Sequence, residues 1–177
     1  MKYITHKPKR TDFIIWFAVL AVLFLFLVIS RQYLNERNPL MLLPISLLAL
    51  FIFNLLVRKS VHFKAYFTSP YNIFTSKVRS EISFSISNEL MFDKVIEVLS
   101  ESQFTLVNEN RENLSLFATA KISWLSWGEN LYIHFEDQKE GSILKFCSAS
   151  LFQIYSWGKN QRNFQTLIEE IEESLTV

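Results

Sequence analysis

Few residues in this chain are able to do acid–base, nucleophilic or metal chemistry, and their spacing does not gather them. The three histidines are His6, His62 and His134, and the one cysteine is Cys147. A thiolate nucleophile needs a base within reach, and a zinc site needs closely spaced Cys or His ligands. Cys147 has neither as a sequence neighbour and reads as apolar filler in a core. With three glycines in all, the chain has no glycine-rich loop to cradle a phosphate. No catalytic residue, metal ligand or cofactor is assigned, and the chain reads as non-enzymatic.

Two other patterns carry chemistry of binding. The frame Ser-Trp-Gly-(charge)-Asn occurs twice, as SWGEN at 126–130 and SWGKN at 156–160, and takes two of the three glycines. As a corner, Gly128 and Gly158 supply a positive φ, each Trp covers a sheet edge, and Asn160 caps the helix that follows. As a rim, Trp127 and Trp157 with Lys159 and Arg162 face a membrane interface or a partner. The last helix starts on Lys159 and Arg162 and carries Glu169, Glu170, Glu172 and Glu173 toward its end. That reverses the preference of the helix dipole, but a basic helix N-terminus suits an anion. The second pattern is a short-chain polar sheet face with Ser83, Ser85, Thr119, Lys121, Ser123, Tyr132 and His134, and either Ser148 and Ser150 or Lys145. From it Lys121, Tyr132 and His134 are the candidates for contact with a ligand or partner.

The elements that must position these residues follow from periodicity. Ile82, Phe84 and Ile86 alternate with polar residues, which predicts a strand, and Ser87 or Asn88 then caps a helix. In that helix Phe92, Val95, Ile96 and Leu99 share one face. Four further strands are predicted over 104–108, 113–124, 131–137 and 142–153, the last two joined by a tight QKEG turn. A final amphipathic helix carries Phe164, Leu167, Ile168, Ile171 and Leu175. If the strands form a meander, both Ser-Trp-Gly corners fall at the same end of the sheet. The order predicts an α+β domain over 78–177, a β-α-β4-α arrangement with an antiparallel sheet and both helices on one face.

The first 59 residues read differently. Residues 13–29 and 40–57 are uncharged runs of 17 and 18 residues. As helices they would span about 25–27 Å, which predicts two transmembrane helices over about 13–30 and 40–57. No small-residue cleavage pattern follows the first run, so it is expected to be retained rather than cleaved as a signal peptide. Basic residues outweigh those of the 30–39 loop on both flanks, Lys77 and Arg79 counted among them, which places the N-terminus and the C-terminal domain in the cytoplasm. The aromatic stretch 60–77 is expected to be an interfacial connector. Residues 1–59 hold eight Lys/Arg against two Asp/Glu (+6), and residues 60–177 hold ten against fifteen (−5). A domain at −5 lacks the basic footprint of nucleic-acid binding. One cysteine fits a reducing compartment.

The order of elements resembles the TATA-binding-protein-like and helix-grip folds. The segment SASLFQIYSWGKNQRN resembles the C-terminal part of an uncharacterised family of small bacterial and plastid proteins. In that family a Ser-x-Ser strand leads through a Gly-x-Asn turn into an Arg-bearing helix, matched here by Ser148, Ser150, Gly158, Asn160 and Arg162. Trp157 departs from the acidic residue of that turn, and the resemblance implies no activity. The resulting expectation is an integral protein of a bacterial inner membrane, with the bilayer and a membrane complex as partners. Its cytoplasmic domain would be an interaction or accessory module. The alternative is a membrane-tethered domain for a lipid or other apolar ligand, with a cavity lined by Phe117, Phe135, Phe146 or Phe152.

Overall fold

The structure, a computed structural model, describes residues 2–5, 28, 42–57, 75–124, 126–151, 153 and 155–176. Its elements are β1 (Lys2–Thr5), α1 (Leu42–Val57), β2 (Thr75–Phe84), α2 (Asn88–Glu101), β3 (Thr105–Asn110), β4 (Ser115–Thr119), β5 (Glu129–Gln138), β6 (Gly141–Leu151) and α3 (Lys159–Leu175). The strands form one antiparallel sheet in the order β1-β2-β6-β5-β4-β3. Consecutive strands β3 to β6 are neighbours, as short turns dictate. β2 lies beside β6 and so closes the meander.

Side chains alternate across a strand, so each strand presents one set to the helices. That set is Ile82 and Phe84 in β2, Leu116 and Ala118 in β4, Leu131, Ile133 and Phe135 in β5, and Leu144 and Phe146 in β6. From the other layer come Met91, Phe92, Val95 and Leu99 of α2 and Phe164, Leu167, Ile168 and Ile171 of α3. Rings meet across the interface: Phe92 lies 5.8 Å from Phe135, and Phe146 lies 5.2 Å from Phe164. Each fully buried side chain of this kind contributes roughly 1.5–3 kcal/mol of transfer free energy, which makes this interface the main source of stability. Asn88, at the start of α2, also donates to Asp137 Oδ1 (2.6 Å) near the end of β5. Gly141 opens β6 at φ 120°, and a Cβ there would overlap the Phe84 carbonyl. The hairpin therefore needs glycine at this position for space as well as for φ.

The membrane half of the expected architecture is corrected. Among the described residues no helix is long and apolar enough to cross a membrane. Of the run at 40–57, α1 covers 16 residues. At 1.5 Å per residue that is about 24 Å, short of a hydrocarbon core of about 30 Å. The run at 13–30 lies outside the described residues. The two transmembrane helices, and with them the inner-membrane placement with cytoplasmic termini, are therefore withdrawn. Of the 60–77 connector, residues 60–74 lie outside the described residues, while Thr75, Ser76 and Lys77 belong to β2. Two further differences are local. Strand β1 pairs with β2 from Lys2 opposite Glu81 to Thr5 opposite Val78, and four residues without a clear alternation did not announce it. The strand expected over 113–124 ends at Thr119 because the chain then leaves the sheet for the first corner.

Candidate functional site

Both Ser-Trp-Gly corners lie at one end of the sheet, because Glu129 at the start of β5 pairs with Ser150 near the end of β6. In the second corner the Lys159 N–H bonds the Ser156 carbonyl (2.8 Å), with Trp157 at φ 50° and Gly158 at φ 75° between them. Two consecutive left-handed residues are the signature of a type I′ turn, in which a tryptophan is unusual. Gly158 has open space where a Cβ would stand, so it is required by φ alone. In the first corner Ser123 and Ser126 pair backbone to backbone at 2.8 and 3.2 Å, and Gly128 has φ 92°.

Beneath the corners, on the helix side of the sheet, the frame's polar residues form a closed knot. Ser126 Oγ donates to Glu129 Oε1 and accepts from the Gly128 N–H (3.2 Å). Glu129 is 0% exposed, and its other oxygen accepts from Asn163 Nδ2 (3.2 Å). Asn163 Nδ2 also reaches Ser148 Oγ (3.3 Å), and Ser148 Oγ donates to Asn160 Oδ1 (2.8 Å). Asn160 Nδ2 finally donates to the Ser76 carbonyl (2.9 Å). The first turn of α3 is thus tied to β2, β5 and β6 at once. Asn160 does not cap its helix: Gly158 is the N-cap residue, and the Asn160 side chain turns under α3 onto the sheet. A buried carboxylate surrounded by hydroxyl and amide donors is held as an anchor, satisfied from within the fold.

The opposite face is arranged in rows set by the strand register. One row reads Lys77, Ala149, Asn130, Thr119, the next Arg79, Cys147, Tyr132, Phe117, and the third Glu81, Lys145, His134, Ser115. The first two rows are largely buried: Lys77 is 2% exposed, and Tyr132 stacks on Phe117 with ring centroids 5.1 Å apart. Asn130 Nδ2 donates to the Tyr132 hydroxyl (3.2 Å). Burial lowers the Lys77 pKa, opposed by Cys147 and reinforced by Arg79. Burial also pushes the Cys147 thiol up to about 11, against the pull of Arg79 and Lys77. The thiol is protonated at neutral pH and inert as a nucleophile.

Of the sequence candidates on this face, Tyr132 is buried and His134 is half-buried in the outer row. Lys121 is exposed at the corner end, beyond β4, so the three are not gathered. Ser148 and Ser150 face the helices, and Lys145 takes the outer face, bonded to Glu136 Oε1 (2.6 Å). Of the four expected cavity-lining rings, Phe135 and Phe146 are packed in the core, Phe117 is stacked on Tyr132, and Phe152 lies outside the described residues. Sequence reasoning missed Glu129, Asn163, Lys77 and Arg79 as interior groups. For the last two the alternation of Val78, Ser80 and Ile82 was the available signal.

The rim residues separate as well. Trp127 is half-buried, its backbone N–H donating to Gln153 Oε1 (3.4 Å) and its ring edge-on to Phe51 of α1 at 5.6 Å. Trp157 is 61% exposed and meets Tyr155, itself 62% exposed, at 5.1 Å. Trp124, at the tip of the Ser123–Ser126 bridge, stands clear of the fold, and Ile122, two residues before it, is 43% exposed. Lys159 is half-buried, and Arg162 is exposed, its Nη2 directed to the Trp157 carbonyl (3.3 Å). Among the described residues no group of three His, Cys, Asp or Glu could hold a metal ion.

A two-layer α+β domain with an aromatic corner rim is the class these observations define. No family model matches the chain, so the resemblance of the C-terminal segment to a bacterial and plastid family is not confirmed. No curated protein matches either. Among solved structures, Ara h 8.0201 is similar at 10% identity over 58% of this chain and 99% of that one, with a TM-score of 0.45. TTHA0849 from Thermus thermophilus is similar at 16% identity over 56% of this chain and 91% of that one, with a TM-score of 0.31. Both scores are low, and the architecture described above stands on its own register.

Proposed function

We propose that the chain is a non-enzymatic interaction module that docks through the corner end of its sheet. The observation that carries this reading is the exposure of Trp124, Tyr155 and Trp157 together at that end. Elsewhere in the domain, rings such as Phe92, Phe104, Phe135, Phe146 and Phe164 are at most 5% exposed. Large amphipathic rings held in water on rigid turns are costly to the free protein, and they supply most of the energy when a surface docks. The non-enzymatic half is supported by the engagement of Glu129 with Ser126 and Asn163 and by the protonated Cys147 thiol. Neither is left free for proton or acyl transfer.

A photo-crosslinking residue in place of Trp157 tests this in native extract, with one at Lys139 in the β5–β6 hairpin as comparison. A discrete adduct from position 157, abolished by Trp124→Ser and Tyr155→Ser, is the expected result. Equal labelling from both ends of the sheet overturns the reading.

A further inference from the structure

Resting on that docking reading, we propose that the occupant of the rim is an anionic phospholipid surface, on which the domain lies without crossing. Three observations converge. The exposed rings are tryptophan and tyrosine, whose apolar bodies and polar tips suit the headgroup level of a bilayer. Cations stand at the same end: Lys121 beyond β4, and Lys159 and Arg162 in the first turn of α3, where the helix dipole adds its own positive end. The acidic residues of α3 lie away from it, Glu173 being about 21 Å along the helix from Lys159. Glu129 at that end is buried in the knot, and Glu101, which closes α2 just before β3, is the one exposed carboxylate there among the described residues; the three cations outnumber it, so the rim is net positive toward phosphate.

The third observation is α1. Phe51 brings it against Trp127 at the rim, and it exposes Leu47 (50%), Leu48 (58%), Ile52 (46%) and Leu56 (74%). Its sequence, LLPISLLALFIFNLLV, contains no charged residue. Exposed leucines on the helix whose Phe51 meets Trp127 offer apolar surface to acyl chains next to the rings, while the cations of the rim meet the headgroups.

The test uses the full chain, sedimented with extruded vesicles of phosphatidylcholine alone or with about 30% phosphatidylglycerol. Each basic residue near an anionic surface strengthens partitioning roughly fivefold, so three cations predict a preference for the mixed vesicles on the order of 100-fold. The triple variant Lys121→Glu/Lys159→Glu/Arg162→Glu should lose that preference. Trp124→Ser/Trp157→Ser, both exposed and so compatible with folding, should weaken binding to both compositions. Circular dichroism melting confirms that each variant is folded. Equal binding to the two compositions overturns the lipid proposal. So does an absence of vesicle binding alongside a protein adduct from position 157, an outcome that leaves the docking reading standing. Loss of both signals removes both.

Discussion

Replacing Asn160 with alanine tests whether the buried knot beneath the corners holds α3 to the sheet. The side chain is 0% exposed. It accepts from Ser148 Oγ at 2.8 Å and donates to the Ser76 carbonyl at 2.9 Å, with a longer 3.4 Å contact to Ser150 Oγ. Removing it deletes two well-formed hydrogen bonds and leaves the part-buried Ser76 carbonyl and the buried Ser148 hydroxyl hydrogen without this partner. Leaving a buried polar group unsatisfied costs about 1–3 kcal/mol. The Ser76 carbonyl is only partly buried, so its penalty is partial, and the sum comes to about 2–4 kcal/mol. In urea, with a slope of about 1–3 kcal/mol/M for a domain of this size, the midpoint should fall by roughly 1–3 M. Gln165→Ala, on the exposed face of the same helix, should stay within about 0.5 kcal/mol. Asn160→Asp preserves shape and acceptors but loses the donor to Ser76 and buries a charge, so it should be at least as damaging at neutral pH as alanine. A cost below about 1 kcal/mol for Asn160→Ala, at unchanged slope, would refute the claim that this network anchors the helix.

The glycines separate by a related logic. Gly158→Ala meets only the left-handed backbone penalty of about 1–2 kcal/mol, whereas Gly141→Ala meets that penalty and a backbone overlap with Phe84, so its thermal midpoint should fall further. The reverse order would contradict the hairpin geometry. Cys147 gives the pH dependence. Its thiol pKa rises from 9.0 in the reference state to about 11 in the fold, so the folded state binds more protons between those values. By linkage its contribution, about 2–3 kcal/mol, is present below about pH 9 and lost as pH rises through about 11. Lys77, with a lowered pKa, acts in the opposite sense, and Cys147→Ala should flatten the alkaline loss in a Lys77→Met background. An unchanged alkaline profile would place the thiol in a wetter site than the structure does.

How much of this was legible follows from which signals are local. The alternation of Leu131, Ile133 and Phe135, and the i, i+3, i+4 spacing of Phe164, Leu167, Ile168 and Ile171, are properties of single elements, and both appear where periodicity placed them. The apolar run at 40–57 was misread because hydropathy measures composition, whereas crossing a membrane requires helix length, and α1 covers 16 residues of the run. The knot was illegible for a different reason. Glu129, Ser148, Asn160 and Asn163 lie on three elements and look like surface residues one at a time. Only the pairing of Glu129 with Ser150 brings them together. Lys77 and Arg79 were likewise read as charge flanking a helix, although the strand alternation places them on a sheet face with Tyr132 and Cys147 as row neighbours.

The repeated frame joins the buried knot to the exposed rim. A corner made from Ser-Trp-Gly turns small polar groups inward and a large ring outward, because a positive φ at glycine reverses the chain within one residue. Inward, Ser126 with Glu129, and Asn160 four residues after Ser156, complete the knot that fixes the end of the sheet. Outward, Trp157 is presented on a turn whose geometry that knot holds. The two Trp residues then diverge with their neighbours: Trp127 is half covered, with Phe51 against its ring, while Trp157 meets Tyr155 and stays open to solvent. On the proposed docking reading, rings that stay off the domain when unoccupied are an advantage, and a type I′ turn anchored from below opposes their collapse. Loosening the knot should therefore weaken docking even where the rim residues themselves are untouched. This coupling separates a built rim from tryptophans that happen to be exposed.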